Sequence, residues 1–215
     1  MQYQYRTILV TGFEPFQGRT RNPSSEAVAQ LPDELYGCRI VKETLPVVWF
    51  DSVYQLEKRI ETLHPRMVIM VGQGHSAPPI RLERLGVNMC FGSDNSDEND
   101  FRFEPIFPNG PAAYFSTFPY EPMHRRLKEE GIPVRYSFSA GQYLCNCMLY
   151  TALHFAATRF PHMQAGFIHV PMLPEDNIEG MPIEVTAKAI RCCVEEAAKS
   201  ISLPVRTPAE RREDL

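Results

Sequence analysis

Residues 134–146 read Val-Arg-Tyr-Ser-Phe-Ser-Ala-Gly-Gln-Tyr-Leu-Cys-Asn, with small residues between a strand-like run and a helix-like run. The run from Val134 to Ser137 is short and β-like, and apolar residues recur at helical spacing from Cys145 to Arg159. The stretch therefore predicts a strand, a turn and a helix that begins near Cys145. At a helix N-terminus, unpaired backbone N–H groups and the helix dipole favour a thiolate over a thiol. This context favours a nucleophilic cysteine, although a cysteine taken by itself is more often a small buried hydrophobic residue.

Strand-like and helix-like segments alternate along the rest of the chain. Buried strands are predicted at 7–11, 39–45, 67–71 and 166–170, with one or two more at 80–90, and helices at 22–31, 50–63, 122–130 and 182–200. This alternation, without an internal repeat or linker, predicts one domain over residues 1–215. The expected fold is a three-layer α/β/α sandwich around a twisted, largely parallel mixed sheet.

Two segments lack periodicity. Residues 91–122 are rich in Asp, Asn, Pro and Phe and are too long for a plain connector. We expect them to pack over a site or against a neighbouring subunit. The charged, proline-containing tail at 203–215 is expected to fray.

Composition and charge exclude several classes of protein. The net charge is −4 with scattered basic residues, which argues against nucleic-acid or anionic-membrane binding. No apolar run reaches the roughly 18 residues that a membrane-spanning helix needs, and the polar N-terminus does not resemble a signal peptide. The six cysteines are too widely spaced for a small disulfide scaffold. We therefore expect a cytoplasmic protein with free thiols.

Cofactor motifs are missing. The glycine-containing stretches at 12–18 and 72–74 fit neither a P-loop nor a dinucleotide fingerprint. The C-x-C pair at Cys145 and Cys147 has no second Cys or His pair at zinc-site spacing. There is also no G-x-S-x-G motif of a serine hydrolase. We expect neither a metal nor an organic cofactor.

A cysteine hydrolase needs a base for the thiol proton and a group that orients the base. Of the six histidines, only His169 ends a predicted buried strand just before a loop, at the edge of the sheet where active sites form. Glu83 follows the third strand and is a candidate for the orienting acid. A strand histidine is, however, more often a structural residue, and an acid beside an arginine is usually a solvated ion pair. The residues alone leave both interpretations open.

These positions lie in motifs that occur together, in one order, in a known family. From about Ile8 to Glu175, the sequence resembles the pyroglutamyl peptidase I (pyrrolidone-carboxylate peptidase) family of cysteine peptidases. The motifs are Thr11-Gly-Phe-Glu-Pro-Phe16 with Asn22-Pro-Ser24, Leu45-Pro46-Val47, Val71-Gly-Gln73 with Leu82-Glu83-Arg84 and Val87-Asn88, Pro108 to Thr117, Gly131-Ile-Pro133, Ser139-Ala-Gly141 with Leu144-Cys145-Asn146, and Gly166-Phe-Ile-His169-Val-Pro171.

The resemblance implies a function and a set of roles. It implies a phosphorylase/hydrolase-like fold and removal of an N-terminal pyroglutamyl residue from peptides through a thioacyl-enzyme. It makes Cys145 the nucleophile, His169 the general acid/base and Glu83 the orienting acid. The substrate-binding residues that it implies are Phe13 and Phe16 on the faces of the lactam ring, Asn22 and Gln73 as polar contacts, and Tyr143 and Leu144 in the pocket wall. Aromatic faces and a few amides suit a neutral lactam.

The resemblance also implies a homo-oligomer, with a tetramer favoured. The segment 91–122 and the last helix are the expected contacts. Cys192 and Cys193 are adjacent on that helix, and we consider a cross-link between subunits through them under oxidation.

The chain departs from the family pattern around the expected position of the lactam ring. Val47 replaces a common threonine, the stretches 74–79 and 90–94 are unusual, and Cys147 stands where a histidine is usual. We expect the Cys147 side chain to point away from the nucleophile. These departures keep two alternatives open: a cysteine amidase acting on another small N-acyl or lactam group, and a non-catalytic oligomeric homologue. Equal cleavage of pyroglutamyl and acetyl amides would favour the first, and an unreactive Cys145 the second.

Overall fold

Eleven strands and five helices make up the part of the chain that the computed structural model describes, which is residues 6–74, 78–94, 100–177 and 179–202. The strands are β1 (Thr7–Phe13), β2 (Glu34–Leu35), β3 (Cys38–Leu45), β4 (Met67–Gln73), β5 (Ile80–Glu83), β6 (Leu85–Val87), β7 (Cys90–Ser93), β8 (Asp100–Glu104), β9 (Ala113–Phe115), β10 (Val134–Ser137) and β11 (Gln164–Val170). The helices are α1 (Pro23–Ala29), α2 (Trp49–Leu63), α3 (Tyr120–Glu129), α4 (Leu144–Thr158) and α5 (Ile183–Ser202). The tail predicted to fray lies outside the described residues, as do residues 75–77.

The central sheet has seven strands in the order β10-β5-β11-β4-β1-β3-β2. Strands β3, β1, β4 and β11 are parallel, β5 is antiparallel to β11, and β10 is parallel to β5. The four central parallel strands are continuous apolar runs because both of their faces are covered. The prediction of a largely parallel mixed sheet is confirmed.

Helices cover both faces of the sheet, which gives the predicted three layers. On one face, α1, α3 and α5 pack on the sheet through residues such as Val28, Leu127 and Ile190. On the other face, α2 and α4 do so through residues such as Leu56, Ile60 and Met148. Most of α4 is buried, so the residues at its N-terminus are held rigidly against the sheet. No helix in the described ranges is long and apolar enough to cross a membrane.

The segment at 91–122 is more regular than its sequence suggests. Strands β7 and β8 form a hairpin, and β9 pairs with β6. The hairpin packs on α2, where Phe101 contacts Trp49 with ring centroids 5.1 Å apart. The Asp94 carboxylate accepts a 2.9 Å hydrogen bond from the Trp49 N–H at the start of α2. The segment therefore supports the wall of the cavity described below.

All six cysteines are unpaired. Cys192 and Cys193 are 4% and 0% exposed and belong to the core on the side of α1, α3 and α5. A cross-link to another subunit through either thiol would require α5 to leave its own core. The structure therefore argues against the cross-link between subunits that the adjacency of the two cysteines in the sequence had suggested.

Candidate active site

The order and register of the strands bring a histidine and a glutamate together. His169 lies beside Gly72 of β4 on one side and opposite Arg81 of β5 on the other. The antiparallel β5 then places Glu83 within reach of His169, and the Glu83 Oε1 atom lies 2.8 Å from His169 Nδ1. Both residues are buried, with 0% and 5% exposure.

Glu83 is held from several directions. Its backbone carbonyl accepts hydrogen bonds from the Tyr120 hydroxyl at 2.6 Å and the Ser116 hydroxyl at 2.9 Å. Its Oε1 atom also lies 3.3 Å from Nε of Arg81. With this carboxylate as acceptor, Nδ1 of His169 carries the ring hydrogen and Nε2 is left as the basic nitrogen.

Cys145 is presented from the first turn of α4. Gly141 has φ 81°, the left-handed conformation that glycine adopts without strain, and Tyr143 precedes the helix in an extended conformation. A Cβ atom added at Gly72 would lie 3.3 Å from the Cys145 sulfur. The thiol therefore sits above β4, next to the strand that carries His169. The structure brings the three predicted catalytic residues to one place.

Burial, together with the negative charge of Glu83, raises the pKa of the Cys145 thiol to about 12. Arg81 and the cysteine's own backbone N–H lower the pKa, but they do not outweigh burial. Burial therefore opposes the effect of the helix N-terminus, and ionisation of Cys145 is helped by a base that takes the thiol proton.

The backbone at the start of α4 limits which N–H groups can bind an oxyanion. The N–H groups of Asn146 and Cys147 both donate to the Tyr143 carbonyl, at 3.0 and 3.2 Å. The N–H of Cys145 points toward its own sulfur, so it can also donate to an oxygen that develops next to that sulfur. Of these three N–H groups, that of Cys145 is therefore the candidate donor to an oxyanion.

Asn146 is a supporting residue that sequence reasoning did not assign. Its amide donates to the carbonyls of Val87 and Met89, each at 2.9 Å, and its Oδ1 accepts from the Val87 N–H at 2.9 Å. The Phe91 N–H also donates to the Gln142 carbonyl at 2.8 Å. These bonds tie the turn before Cys145 to β6 and β7, so the unusual stretch at 90–94 helps to position the nucleophile.

A cavity of about 570 Å³ opens in front of Cys145 and His169. All six predicted substrate-binding residues line it: Phe13, Phe16, Asn22, Gln73, Tyr143 and Leu144. Val47, one of the departures from the family pattern, lines it too. Glu83 stays behind His169. Cys147 lines a different cavity, on the side of α2 and the β7–β8 hairpin, which agrees with the expected direction of its side chain.

Gln73 and Asn22 differ in what their amides do. Gln73 is 5% exposed, and neither polar atom of its amide has a hydrogen-bond partner in the described part of the chain. Asn22 instead caps α1, because its Oδ1 accepts from the N–H and the hydroxyl of Ser24, at 3.0 and 2.8 Å. Its Nδ2 donates to the Glu14 carbonyl at 2.9 Å. At most one amide hydrogen of Asn22 remains for a ligand.

Two arginines, which sequence reasoning did not single out, also line the cavity: Arg81 on β5 and Arg135 on β10. Each stands in a short strand where an arginine would be read as a solvated side chain. Among the described residues, no group of three or more His, Cys, Asp or Glu side chains is arranged to hold a metal ion.

A buried glutamate that orients a histidine beside a helix-start thiol is the arrangement of a cysteine hydrolase. Comparison with known families narrows this class. The model of the pyroglutamyl peptidase family matches residues 6–202, and the chain belongs to that family.

Individual members of the family match this chain over most of their length. The chain is 41% identical to a pyrrolidone-carboxylate peptidase of Thermosipho melanesiensis over 183 residues, which cover 82% of this chain and 91% of the relative. It is 38% identical to that of Thermococcus onnurineus over 198 residues, covering 90% and 99%. The crystal structure of pyroglutamyl peptidase I from Bacillus amyloliquefaciens superposes with a TM-score of 0.86 at 33% identity, covering 90% of this chain and 95% of that one.

Proposed function

We propose that this protein is a cysteine exopeptidase that hydrolyses the amide bond after an N-terminal pyroglutamyl residue. Membership of the pyroglutamyl peptidase family supports the reaction. The observation that carries the choice of substrate is the Gln73 carboxamide in the wall of the cavity that holds the thiol, because both of its polar atoms are buried without a partner among the described residues. An unsatisfied buried amide costs about 1–3 kcal/mol. A lactam presents an N–H and a C=O side by side, so it can pair with both atoms of that carboxamide.

The rest of the cavity suits the same ring. Phe13 and Phe16 offer aromatic surface near Gln73, and a flat, neutral lactam needs such surface more than it needs a charge. We assign them to the faces of the ring, with Tyr143 and Leu144 in the wall. Asn22 shapes the loop that carries Phe16 and has at most one hydrogen for the ring.

The proposed reaction is acyl transfer through sulfur. Nε2 of His169 takes the thiol proton as Cys145 attacks the exocyclic carbonyl of the pyroglutamyl residue. The carbonyl oxygen becomes an oxyanion, stabilised by the Cys145 N–H. The imidazolium returns the proton to the departing amine, and the carbon–nitrogen bond breaks to leave a thioester. A water that loses a proton to His169 then hydrolyses the thioester and releases pyroglutamate.

Glu83 acts on this cycle through His169. The buried carboxylate keeps the hydrogen on Nδ1 and stabilises the imidazolium that forms in each half of the reaction. Because burial raises the pKa of the Cys145 thiol, transfer of its proton to His169 favours formation of the thiolate.

We also propose that the protein is a cytoplasmic homo-oligomer, with a tetramer favoured. Six unpaired cysteines suit a reducing compartment. Phe50 and Tyr54 on α2 are 64% and 56% exposed, next to the β7–β8 hairpin, and contiguous exposed apolar surface is typical of contacts between subunits. Light scattering of the purified protein tests the assembly, and a monomer at micromolar concentration would refute it.

The decisive experiment compares three 7-amido-4-methylcoumarin substrates under reducing conditions: the pyroglutamyl, prolyl and acetyl amides. The prolyl compound has the ring without the lactam carbonyl. The wild type is expected to cleave the pyroglutamyl compound at least about 100-fold faster than the others, because they leave the Gln73 amide unpaired. Cys145→Ser is expected to show little or no turnover.

Comparable rates for all three substrates would favour a less specific cysteine amidase. No turnover of any of them would favour a non-catalytic homologue. Labelling of Cys145 by iodoacetamide then separates an altered substrate from a thiol that has lost its reactivity.

A further inference from the structure

The two sides of the cavity differ in charge. Among the residues that line it, Phe13 lies on β1, on one side of β4 and β11, whereas Arg81 on β5 and Arg135 and Ser137 on β10 lie on the other side. A pyroglutamyl ring is neutral and offers no charge to a guanidinium. The two arginines therefore face a part of the substrate other than the ring.

The strand order shows which part that is. From β1, the sheet continues through β4, β11, β5 and β10. The Cys145 sulfur lies above Gly72 of β4, with Phe13 of β1 on one side of it. On the other side come His169, Arg81 and Arg135, each one strand further from β1. Because His169 delivers the proton to the departing amine, the leaving peptide lies on the side of the arginines.

Arg81 is directed back toward the nucleophile. Its side chain is 17% exposed, and a Cβ added at Gly74 would lie only 2.6 Å from its Nη2 atom. The absence of a side chain at Gly74 thus makes room for the guanidinium at the end of β4. Gly74 is two residues beyond Gly72, which corresponds to roughly 7 Å of extended chain. A guanidinium at about this distance from the Cys145 sulfur would face the first residue after the bond that is cleaved.

Arg135 stands next to Arg81, directly opposite it in the parallel ladder, with the two strands about 4.8 Å apart. Arg135 is exposed, and no carboxylate within the described ranges forms an ion pair with it. Glu83 lies buried beside Arg81 and also bonds to His169. Like charges placed opposite each other repel, so an anion bound between them would be stabilised.

We propose that Arg81 and Arg135 form a binding subsite for a carboxylate in the leaving part of the substrate. The proposal rests on the proposed function, because the leaving part is defined by the bond after the pyroglutamyl residue. Two kinds of peptide supply such a carboxylate at the right distance: one with Asp or Glu after the pyroglutamyl residue, and a pyroglutamyl dipeptide with a free C-terminus. Guanidinium groups bind carboxylates through charge-assisted, often bidentate hydrogen bonds.

Paired substrates test the subsite. pGlu-Asp-amide is compared with pGlu-Asn-amide, and pGlu-Ala with pGlu-Ala-amide, with kcat/KM measured by release of the amine. The two pairs distinguish a side-chain carboxylate from a terminal one. In at least one pair the wild type is expected to prefer the charged member by about tenfold. The preference should weaken as salt is raised, because the subsite is open to solvent.

Arg135→Gln is the informative variant, because Arg81 also contacts Glu83 and its loss would disturb His169. The charged-to-neutral ratio should fall close to 1 in Arg135→Gln. It should keep its wild-type value in Arg125→Gln, a matched variant at an exposed arginine on α3, outside the cavity.

A wild-type ratio near 1 in both pairs, with the neutral peptides cleaved, would overturn the subsite and leave the peptidase intact. An unchanged ratio in Arg135→Gln would also overturn it. Failure to cleave any pyroglutamyl peptide would instead refute the proposed function.

Discussion

At the scale of single residues, Glu83 is the position where charge can be removed while shape is kept. Glu83→Gln replaces an acceptor by an amide that can present its NH₂ group to Nδ1 of His169 and so favour the wrong tautomer. We expect kcat on the pyroglutamyl coumarin substrate to fall by about 10³- to 10⁴-fold, with KM changed little. The melting temperature should not fall by more than a few degrees, because the variant also removes a buried charge.

Glu83→Asp is the matched control, since it keeps the charge but shortens the side chain. It should retain more activity than Glu83→Gln. A loss of less than tenfold in Glu83→Gln would show that His169 does not depend on this hydrogen bond, and that the triad assignment needs another orienting group.

Substitution of Gln73 should raise the stability of the protein and weaken its recognition of the substrate. Gln73→Leu removes a buried amide whose two polar atoms have no partner among the described residues. We expect the free energy of unfolding to rise by about 1 kcal/mol or more, and kcat/KM for pyroglutamyl substrates to fall by about 100-fold or more. Urea denaturation and steady-state kinetics measure the two effects.

Thr186→Val serves as the control for Gln73→Leu. The Thr186 hydroxyl on α5 is also buried without a partner in the described ranges, but it lies outside the cavity. This variant should gain stability without losing activity. Full activity in Gln73→Leu would remove the main support for lactam recognition.

At the scale of secondary-structure elements, the packing of β4, β11 and α4 leaves no space for a side chain at residue 72. In Gly72→Ala the added Cβ would lie 2.6 Å from Cζ of Phe167 and 3.3 Å from the Cys145 sulfur. We expect a loss of about 1–3 kcal/mol in stability and a large loss of activity, because the thiol is displaced relative to His169. Thermal unfolding and turnover measure these effects.

The second substitution Phe167→Leu should restore part of the stability of Gly72→Ala by giving space to the new methyl group. Gly131→Ala is a poor control, because Gly131 has φ 70° and strains any larger residue. A Gly72→Ala protein with wild-type activity and melting temperature would contradict the position of the Cys145 sulfur above β4.

The elements also show where sequence reasoning succeeds. The parallel strands β1, β4 and β11 could be predicted because two covered faces require continuous apolar runs, and that requirement is visible locally. The β7–β8 hairpin could not, because its short strands depend on tertiary contacts such as that of Phe101 with Trp49.

The same distinction applies to the site. The places of Cys145 at a helix start and of His169 at a strand end make them candidates, and the resemblance to the family gives them their roles. The bond between Glu83 and His169 depends on the antiparallel insertion of β5, which no local pattern encodes. The raised pKa of the Cys145 thiol depends on burial in the assembled cavity, which the local sequence at the helix start does not show.

At the scale of the whole molecule, buried thiols make the free energy of unfolding depend on pH in the alkaline range. Burial raises the pKa of Cys147 to about 12 and raises the pKa of Cys193 as well, whereas a thiol in the unfolded chain ionises near pH 8.5, by rough estimate. The folded state therefore keeps these protons when the unfolded state has lost them. The free energy of unfolding is constant with respect to these groups below about pH 8 and falls as pH rises toward the folded-state values.

Between pH 9 and pH 10, each such thiol should make the free energy of unfolding fall by up to about 1.4 kcal/mol per pH unit. The double variant Cys147→Ala/Cys193→Ala should have a shallower slope than the wild type over this range, even though its cavities lower stability at pH 7. Urea denaturation at each pH measures the slope, which is independent of that offset. Equal slopes in both proteins would mean that these thiols ionise as readily in the folded core as in the unfolded chain, contrary to their burial.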